Sequence, residues 1–207
     1  MMKLFYSPNA CSLATHIALE EAGAQYELVE VNVRTGAHQA PEYLALNPKG
    51  KVPALATDHG TLTETPALLA YIAQTHPKAG LAPLDDPYAF ARMQGINDYL
   101  AASLHVSFAH IFRGYRWADD EAAVKAMAAK GPSVIAQCLD LIQDTMLSGP
   151  WLMGERYSAA DGYLYVLGRW CPRAELDLNT FPALAAHAAR VAERPAVQRA
   201  LAQEGLT

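Results

Sequence analysis

Hydrophobic and polar positions follow two spacings along the chain, and the spacing changes near residue 87. Before that point, runs such as YELVEVNV at residues 26–33 alternate apolar and polar side chains, and they stand between stretches in which apolar residues recur every three or four positions. Alternation is typical of a half-buried strand, and the wider spacing of a helix with one buried face. Beyond residue 87 only the helical spacing continues. The pattern therefore predicts an α/β unit followed by an all-α unit.

The chain opens with a predicted strand, a helix and a second strand. The strands are predicted over residues 3–7 and 26–33. Between them lies SLATHIALEEA, residues 12–22, which has an apolar side and is followed by Gly23 as a C-terminal stop. A helix between two adjacent strands implies that the strands are parallel and joined by a right-handed crossover.

The rest of this unit is predicted to hold a short helix, a hairpin and a longer helix. The short helix is PEYLAL, and the hairpin is VPALATDHGTLTET, with its turn at Asp58-His59-Gly60. The longer helix begins at Thr65-Pro66, with Thr65 as N-cap and Pro66 as the first helical residue. The order β-α-β-α-β-β-α is that of a thioredoxin-like domain, which we place at residues 1–76.

Composition marks a boundary after the first unit. The stretch HPKAGLAPLDDP is rich in Pro, Gly and Asp, so we expect a linker over residues 77–87 and an all-helical bundle domain over residues 88–207. In the helical stretch at residues 121–147, Gly131-Pro132 is expected to kink or split the helix. Other helices are predicted over residues 88–112, 181–192 and 195–202.

A further helix start is predicted at YSAADGYLY. Ser158 and Asp161 have the S-x-x-D spacing of a capping box, and Tyr157 precedes them where it can pack on the first turn. This motif concerns folding and carries no chemistry of its own.

Charge and hydropathy exclude several classes of function. The formal net charge is −5, and the 16 Lys and Arg residues are scattered, so nucleic acid is not an expected partner. No stretch approaches the roughly 18 apolar residues of a membrane span, and no signal-peptide pattern follows the first residues. We therefore expect a cytoplasmic protein with no membrane partner.

Cysteine and histidine usage gives no sign of a metal site or a disulfide framework. The three cysteines are Cys11, Cys138 and Cys171, which are widely separated and form no CxxC pair. His105 and His110 are five residues apart, which puts them on different faces of a helix. Cys138 and Cys171 lie in apolar helical stretches and are expected to be inert core residues.

Three stretches of the first unit could meet around one small ligand. Cys11 stands at a helix start, where the macrodipole and free N–H groups favour a thiolate and lower the pKa of the thiol. The Val52–Pro53 bond could be cis, which would turn the backbone of Val52 outward like a sheet edge. At Glu64-Thr65, another helix start can accept a carboxylate while the Glu64 side chain takes an adjacent ammonium group. Together they suit a peptide-like ligand with an amino-acid end and a thiol.

The same stretches resemble a known family. YSPNACSLATHIALEEAG, APEYLALNPKGKVPAL, the Glu-Thr pair, YSAADGYLY and AERPAVQRA follow one another as in a cytosolic glutathione transferase, along essentially the whole chain. Cysteine in ACSLA is most similar to the bacterial beta class. The resemblance implies a thioredoxin-like domain and a helical domain, a homodimer with its active sites at the interface, and glutathione as co-substrate with no prosthetic group.

The resemblance also implies roles for residues of the first unit. Cys11 matches the catalytic cysteine that contacts the glutathione sulfur and can form a mixed disulfide with it. The Val52 backbone matches the partner of the cysteinyl part, with Lys51 as the polar residue beside it. Glu64 and Thr65 match the pair that holds the γ-glutamyl end.

Further matches are carried by isolated residues. Pro53 matches the cis-proline, Asp98 a residue that reaches the γ-glutamyl group of the neighbouring subunit, and His105 a histidine near the thiol. Asp98 could equally pair with Arg92 or Arg113 of its own helical half. Ser12 and Tyr6 are alternative thiol activators, although Tyr6 is expected to pack in the core.

The chain departs from the beta class at two positions. Only Arg34 could replace a lysine after the second strand, and Val106 stands where a lysine can occur.

The predicted function is conjugation of the glutathione thiol to small hydrophobic electrophiles, together with Cys11-dependent thiol–disulfide exchange. One alternative is a glutaredoxin-like oxidoreductase or peroxidase, in which Cys11 attacks a mixed disulfide and free glutathione releases it. A cysteine suits that cycle well, because a charged Cys11 thiolate would repel a glutathione thiolate. The other alternative is a non-catalytic carrier of apolar ligands with the same fold.

Overall fold

The computed structural model describes residues 1–207, and its N-terminal half is built on a four-stranded sheet. The strands are β1 (Met2–Tyr6), β2 (Tyr26–Glu30), β3 (Ala54–Thr57) and β4 (Gly60–Thr63), in the spatial order β2-β1-β3-β4. β1 pairs with β2 in parallel and with β3 antiparallel, and β3 and β4 form the hairpin. The predicted crossover, hairpin and thioredoxin-like order are therefore confirmed.

Three helices complete this half. They are α1 (Ser12–Ala22), α2 (Pro41–Leu46) and α3 (Thr65–Thr75). α1 has the predicted bounds and ends at Gly23, whose φ of 62° allows its N–H to reach the last carbonyls of the helix. β2 is shorter than the prediction of residues 26–33, because Asn32 begins a turn: its side chain accepts from the Arg34 N–H and its carbonyl from the Thr35 hydroxyl.

The start of α3 also differs from the prediction. Glu64, not Thr65, is the N-cap, and Pro66 is the second helical residue. The Leu68 N–H donates to the Glu64 carbonyl at 3.0 Å, so the helical hydrogen bonds begin one residue early. Glu64 has a φ of 73°, in a region that L-residues avoid. The Thr65 hydroxyl is thereby left without a capping role.

The C-terminal half is all-helical. It contains α4 (Pro87–Tyr99), α5 (His105–Arg113), α6 (Glu121–Leu141), α7 (Ala159–Gly168), α8 (Pro182–Ala192) and α9 (Pro195–Gln203). A π-helical turn, Leu100–Leu104, joins α4 to α5, so the two form one long run. No helix of the protein is both long and apolar enough to cross a membrane.

Pro132 lies inside α6 and does not split it. Gly131 beside it is required by packing, because a Cβ there would lie 2.2 Å from the Cγ1 of Ile111 on α5. Gly131 therefore allows close approach of α5 and α6, which the prediction of a kink or split does not account for.

One hydrophobic core joins the two halves. α1 packs against α3 of its own half and against α7 and α9 of the helical half. Leu13, Leu69, Leu139 and Val197 are all 0% exposed and belong to the same cluster. The division into domains at residues 77–87 stays a prediction.

The capping box at α7 is confirmed and extends beyond the helix start. The Asp161 carboxylate, fully buried, accepts from the Ser158 N–H at 2.8 Å and from the Ser158 hydroxyl at 2.9 Å. It also accepts from the Leu152 N–H at 2.8 Å and contacts His187 Nε2 at 2.9 Å. These bonds join α7 to the preceding turn and to α8.

Candidate functional site

Cys11 lies where the chain turns from β1 into α1. It is the N-cap of α1, and a backbone bond from Ala10 N–H to the Ser7 carbonyl closes the turn before it. The Ser12 hydroxyl is buried, donates to the Ser7 carbonyl and accepts from the Ser7 N–H. Ser12 therefore fixes the loop that carries Cys11, and the structure gives its hydroxyl no bond to the Cys11 sulfur.

The Cys11 thiol reaches the loop before β3. Its Sγ donates to the Val52 carbonyl at 3.3 Å, and the Val52–Pro53 peptide bond is cis. The Tyr43 hydroxyl and the Asn47 side-chain amide both donate to the carbonyl of Lys51, at 2.6 and 2.7 Å. Because these bonds hold the preceding residue, the Val52 backbone is presented to Cys11 in a fixed orientation.

The charge state of Cys11 differs from the sequence expectation. Burial raises the pKa of the thiol to about 11, and the Thr65 hydroxyl, which stabilises the thiolate by hydrogen bonding, only partly offsets this. Arg113 and the Cys11 N–H act in the same direction as Thr65, with smaller effect. The prediction of a lowered pKa is therefore wrong, because burial outweighs the helix start. In the free protein Cys11 is a neutral thiol and a hydrogen-bond donor.

Glu64 and Thr65 meet this group from the start of α3. Thr65 is 5% exposed beside the Cys11 sulfur, whereas the Glu64 carboxylate is largely exposed. Lys49 Nζ contacts Glu64 Oε1 at 2.6 Å and donates to the Thr63 hydroxyl at 2.6 Å. The Glu64 carboxylate is therefore placed to accept an ammonium group, and in this structure that ammonium comes from Lys49.

His105 lies on the opposite side, at the start of α5. Its Nδ1 is 3.2 Å from the hydroxyl of buried Tyr163, and its ring packs edge-on against Trp170 at 5.0 Å between centroids. Burial, and then the nearby charges of Arg113 and Lys51, lower the pKa of His105 to about 4. His105 is thus neutral at physiological pH, and it has no direct hydrogen bond to Cys11.

Three other predicted residues lie at the surface. Asp98 is exposed on α4 and forms no ion pair, so neither predicted pairing, with Arg92 or with Arg113, is present. Arg92 instead donates to the Ser148 hydroxyl at 3.3 Å. Arg34 and Lys51 both have exposed side chains.

Tyr6 is buried and packs against His16 with ring centroids 6.1 Å apart, as expected of a core residue. Cys138 and Cys171 are also buried, and all three cysteines are free thiols. No group of His, Cys, Asp and Glu side chains in the protein could hold a metal ion.

Sequence reasoning missed four residues around the site. Tyr163 and Trp170 come from α7 and the turn after it, and Trp170 Nε1 donates to the Asn9 carbonyl at 3.0 Å, just before Cys11. Lys49 and Arg113 supply charge. Lys49 lies within the NPKGKVPAL motif, which gave a signal for it; the other three are brought in by tertiary packing that no local pattern records.

Comparison with known proteins places the chain in a family. Residues 1–74 match the Glutathione S-transferase N-terminal domain, and residues 107–204 match the Glutathione S-transferase C-terminal domain. Glutathione S-transferase GstA of Escherichia coli O157:H7 is 38% identical over 99% of this chain and 100% of its own length. Glutathione S-transferase GST-4.5 of Xanthomonas campestris is 36% identical with the same coverage.

Solved structures agree with this assignment. A glutathione transferase homologue from Sulfitobacter, with bound glutathione, has a TM-score of 0.95 and 39% identity over 100% of this chain and 99% of that one. The bacterial beta-class enzyme of Sphingomonas chungbukensis has a TM-score of 0.86 and 38% identity over 99% of this chain and 100% of that one. The chain therefore belongs to the glutathione S-transferase family, and it is similar to beta-class members.

Proposed function

We propose that this protein is a glutathione transferase that conjugates the glutathione thiol to small electrophiles. The observation that carries the proposal is the placement of the Cys11 sulfur, which donates to the Val52 carbonyl at 3.3 Å and is bordered by Thr65, where burial raises the pKa of the thiol. A neutral thiol donates a hydrogen bond and does not repel an anionic sulfur. The arrangement therefore favours stabilisation of a glutathione thiolate over attack by Cys11 itself.

The γ-glutamyl end of glutathione carries an ammonium and a carboxylate on one carbon. The Glu64 carboxylate already contacts one ammonium group, because Lys49 Nζ lies 2.6 Å from its Oε1 atom. We infer that the ligand ammonium binds at the same carboxylate. The first N–H groups of α3, beginning at Thr65, have no helical partner and can bind the adjacent carboxylate. In the proposed complex the ligand ammonium shares or replaces the Lys49 contact.

The cysteinyl part is proposed to pair with the backbone of Val52. If the cysteinyl N–H of glutathione bonds to the Val52 carbonyl, it competes with the Cys11 thiol for that oxygen and weakens the thiol's bond to it. The freed S–H then donates to the glutathione sulfur and lowers the pKa of the glutathione thiol, because a hydrogen bond to the charged form favours it. Binding would thus exchange one acceptor of Cys11 for another.

Conjugation then proceeds in one displacement or addition. In a displacement, the glutathione sulfur forms a bond to the electrophilic carbon while a leaving group departs with its electron pair. In an addition, the sulfur forms a bond to one carbon of a double bond, and the other carbon takes a proton from water. The glutathione proton has already passed to solvent. Cys11 keeps its own proton throughout.

Other parts of the proposal rest on the family. A homodimer would bring the exposed Asp98 of one subunit to the γ-glutamyl group bound by the other, and Lys51 or Arg34 would face the glycyl carboxylate. A role in detoxification, and the cytoplasm as the place of action, are proposed on the same ground. Thiol–disulfide exchange is the competing activity. A relative of this chain, Disulfide-bond oxidoreductase YfcG of Escherichia coli, is 26% identical over 97% of this chain.

The test compares two activities in three proteins. Conjugation of 1-chloro-2,4-dinitrobenzene and reduction of a glutathione mixed disulfide are measured for the wild type, Cys11→Ser and Cys11→Ala. Cys11→Ser keeps a donor, so we expect it to conjugate about tenfold or more faster than Cys11→Ala. Both variants should lose exchange, because that reaction needs a sulfur nucleophile.

Cys138→Ala is the matched control, since it removes a buried thiol elsewhere and should leave both activities unchanged. Equal conjugation by Cys11→Ser and Cys11→Ala would contradict the donor role. Exchange without conjugation in the wild type would favour the oxidoreductase. Failure of both reactions in the wild type, with apolar ligands still bound, would favour the carrier.

A further inference from the structure

The end of α5 and the turn after α7 form one surface beside the Cys11 loop. Trp170 packs edge-on against His105 and Phe108, at 5.0 and 5.5 Å between ring centroids. One turn further along both segments, the Arg173 guanidinium lies 4.6 Å from the ring centroid of Phe112. Because Trp170 also donates to the Asn9 carbonyl, this surface is tied to the residues that lead into Cys11.

Three arginines meet on this surface without an acidic partner. Arg113 ends α5, Arg116 ends the short helical turn that follows, and Arg173 lies over Phe112. None of them takes part in any of the ion pairs of the chain, all of which use other cations. Burial, and then repulsion from neighbouring charges that include Arg116 and Arg173, lower the pKa of Arg113.

No acidic side chain forms an ion pair with these three arginines. Asp120 follows in sequence, but its carboxylate accepts from the Ala122 N–H as the N-cap of α6. Like charges held close together repel one another, so an anion that binds between them relieves the repulsion. Trp170 of the same surface donates to the Asn9 carbonyl, two residues before Cys11, and Arg113 acts electrostatically on the Cys11 sulfur, so the cluster lies beside the Cys11 loop.

Exposed aromatic residues adjoin the arginines along the chain, and one of them, Phe112, contacts the Arg173 guanidinium. Phe112, Tyr115 and Trp117 are 37%, 66% and 50% exposed, although large apolar side chains are usually buried. The Trp117 ring is braced by His110, with centroids 4.5 Å apart. Exposed aromatic faces beside guanidinium groups suit a flat ring that carries a negative charge.

We propose that Arg113, Arg116 and Arg173, together with Phe112, Tyr115 and Trp117, make this enzyme selective for aromatic electrophiles that bear a carboxylate. The guanidinium groups bind the carboxylate, the aromatic side chains pack on the ring, and the electrophilic carbon faces the glutathione sulfur. This inference rests on the proposed function, because it names the class of second substrate for that site.

A matched pair of substrates tests the selectivity: 4-chloro-3,5-dinitrobenzoate and its neutral amide. In both, the glutathione sulfur forms a bond to the carbon that carries chlorine, chloride leaves with the bonding electrons, and the thiol proton passes to water. The charge is far from the bond that breaks. Each rate is divided by the uncatalysed rate with glutathione to remove the difference in intrinsic reactivity.

For the wild type we expect kcat/KM to be about tenfold higher with the benzoate than with the amide. Arg116→Gln and Arg173→Gln should each reduce this preference about threefold. The double variant should show almost none, and the activity with the amide should change little. Raising the salt concentration should weaken the preference in the wild type alone. Arg156→Gln is the matched control, because Arg156 is an exposed arginine on the turn before α7, outside this surface.

Two further readouts separate the possible explanations. If the variants raise the KM of glutathione equally with both electrophiles, the cluster binds the glycyl carboxylate of glutathione and the inference is wrong. Quenching of tryptophan fluorescence by 3,5-dinitrobenzoate and 3,5-dinitrobenzamide measures binding without turnover. If the protein conjugates neither substrate, the proposed function is wrong. Tighter binding of the benzoate than of the amide would then still support carboxylate binding by the three arginines. Equal binding of the two would overturn it.

Discussion

Two helix starts of this protein have the same kinds of side chain and use them in opposite ways. α7 begins after Ser158 with Asp161 in its first turn, and α3 begins at Glu64-Thr65. At α7 the carboxylate is fully buried and takes four hydrogen-bonding contacts from the protein. At α3 the carboxylate is exposed, and its one contact is with the ammonium group of Lys49.

The backbone shows the same difference. Ser158 has an extended conformation, with φ of −135°, that any residue adopts, whereas Glu64 has a φ of 73°. A left-handed backbone at a residue other than Gly costs about 1–3 kcal/mol and persists only where the surroundings enforce it. α7 therefore uses its polar groups for folding, and α3 keeps its carboxylate available to a ligand at some cost in stability.

The largest expected effect is a loss of stability when the buried carboxylate at the α7 start is removed. Asp161→Ala leaves buried N–H groups at Ser158 and Leu152, and His187, without their acceptor, so the free energy of unfolding should fall by about 3–5 kcal/mol. Urea denaturation measures the loss. The KM of glutathione in the protein that remains folded should not change; a rise in KM would show that α7 also supports binding.

The binding side is tested by Glu64→Gln. We expect the KM of glutathione to rise about tenfold or more, because a charged acceptor for the ligand ammonium is lost. The melting temperature should hardly change, since an exposed ion pair contributes about 0–1 kcal/mol. Steady-state kinetics and thermal melting are measured on the same preparation.

Lys49→Gln is the control for this variant, because it breaks the same ion pair and keeps the carboxylate. It should not raise the KM of glutathione. An equal rise in both variants would mean that the Lys49–Glu64 pair itself, and not the free carboxylate, supports the site.

The two helix starts also show what the sequence predicts well. The S-x-x-D spacing found the α7 capping box because its partners, Ser158 and Asp161, are local. The Glu64-Thr65 pair was located, but its cap was assigned to the wrong residue, because no local preference predicts a Glu with φ of 73°.

The same distinction explains the Cys11 prediction. A helix start is visible in sequence, and it favours a thiolate; the burial that raises the pKa to about 11 comes from segments far along the chain, and it is the larger effect. The element order, by contrast, follows from periodicity and turn residues, which are local. Residues such as Tyr163 and Arg113 enter the site only through packing of the helical half.

The hydroxyl groups of the two helix starts should differ in their effect on Cys11. Thr65 lowers the pKa of the thiol by hydrogen bonding, so Thr65→Val should raise that pKa further above its present value of about 11. At pH 9 iodoacetamide should then label Cys11 about threefold more slowly. Mass spectrometry identifies the labelled cysteine. Ser158→Ala should lower stability by about 1 kcal/mol and leave the labelling rate unchanged; slower labelling there would contradict the comparison.

The smallest expected effect tests whether the α3 start sacrifices stability for binding. Glu64→Gly relieves the left-handed backbone, which should stabilise the folded protein, and the greater freedom of Gly in the unfolded chain offsets part of the gain. We expect a net increase of about 0.5–1 kcal/mol in the free energy of unfolding, measured by urea denaturation, together with loss of glutathione binding. Ser158→Gly, at an extended backbone, should instead destabilise the protein. A less stable Glu64→Gly variant would show that the conformation of Glu64 is not strained, and that the two helix starts differ only in the exposure of their carboxylates.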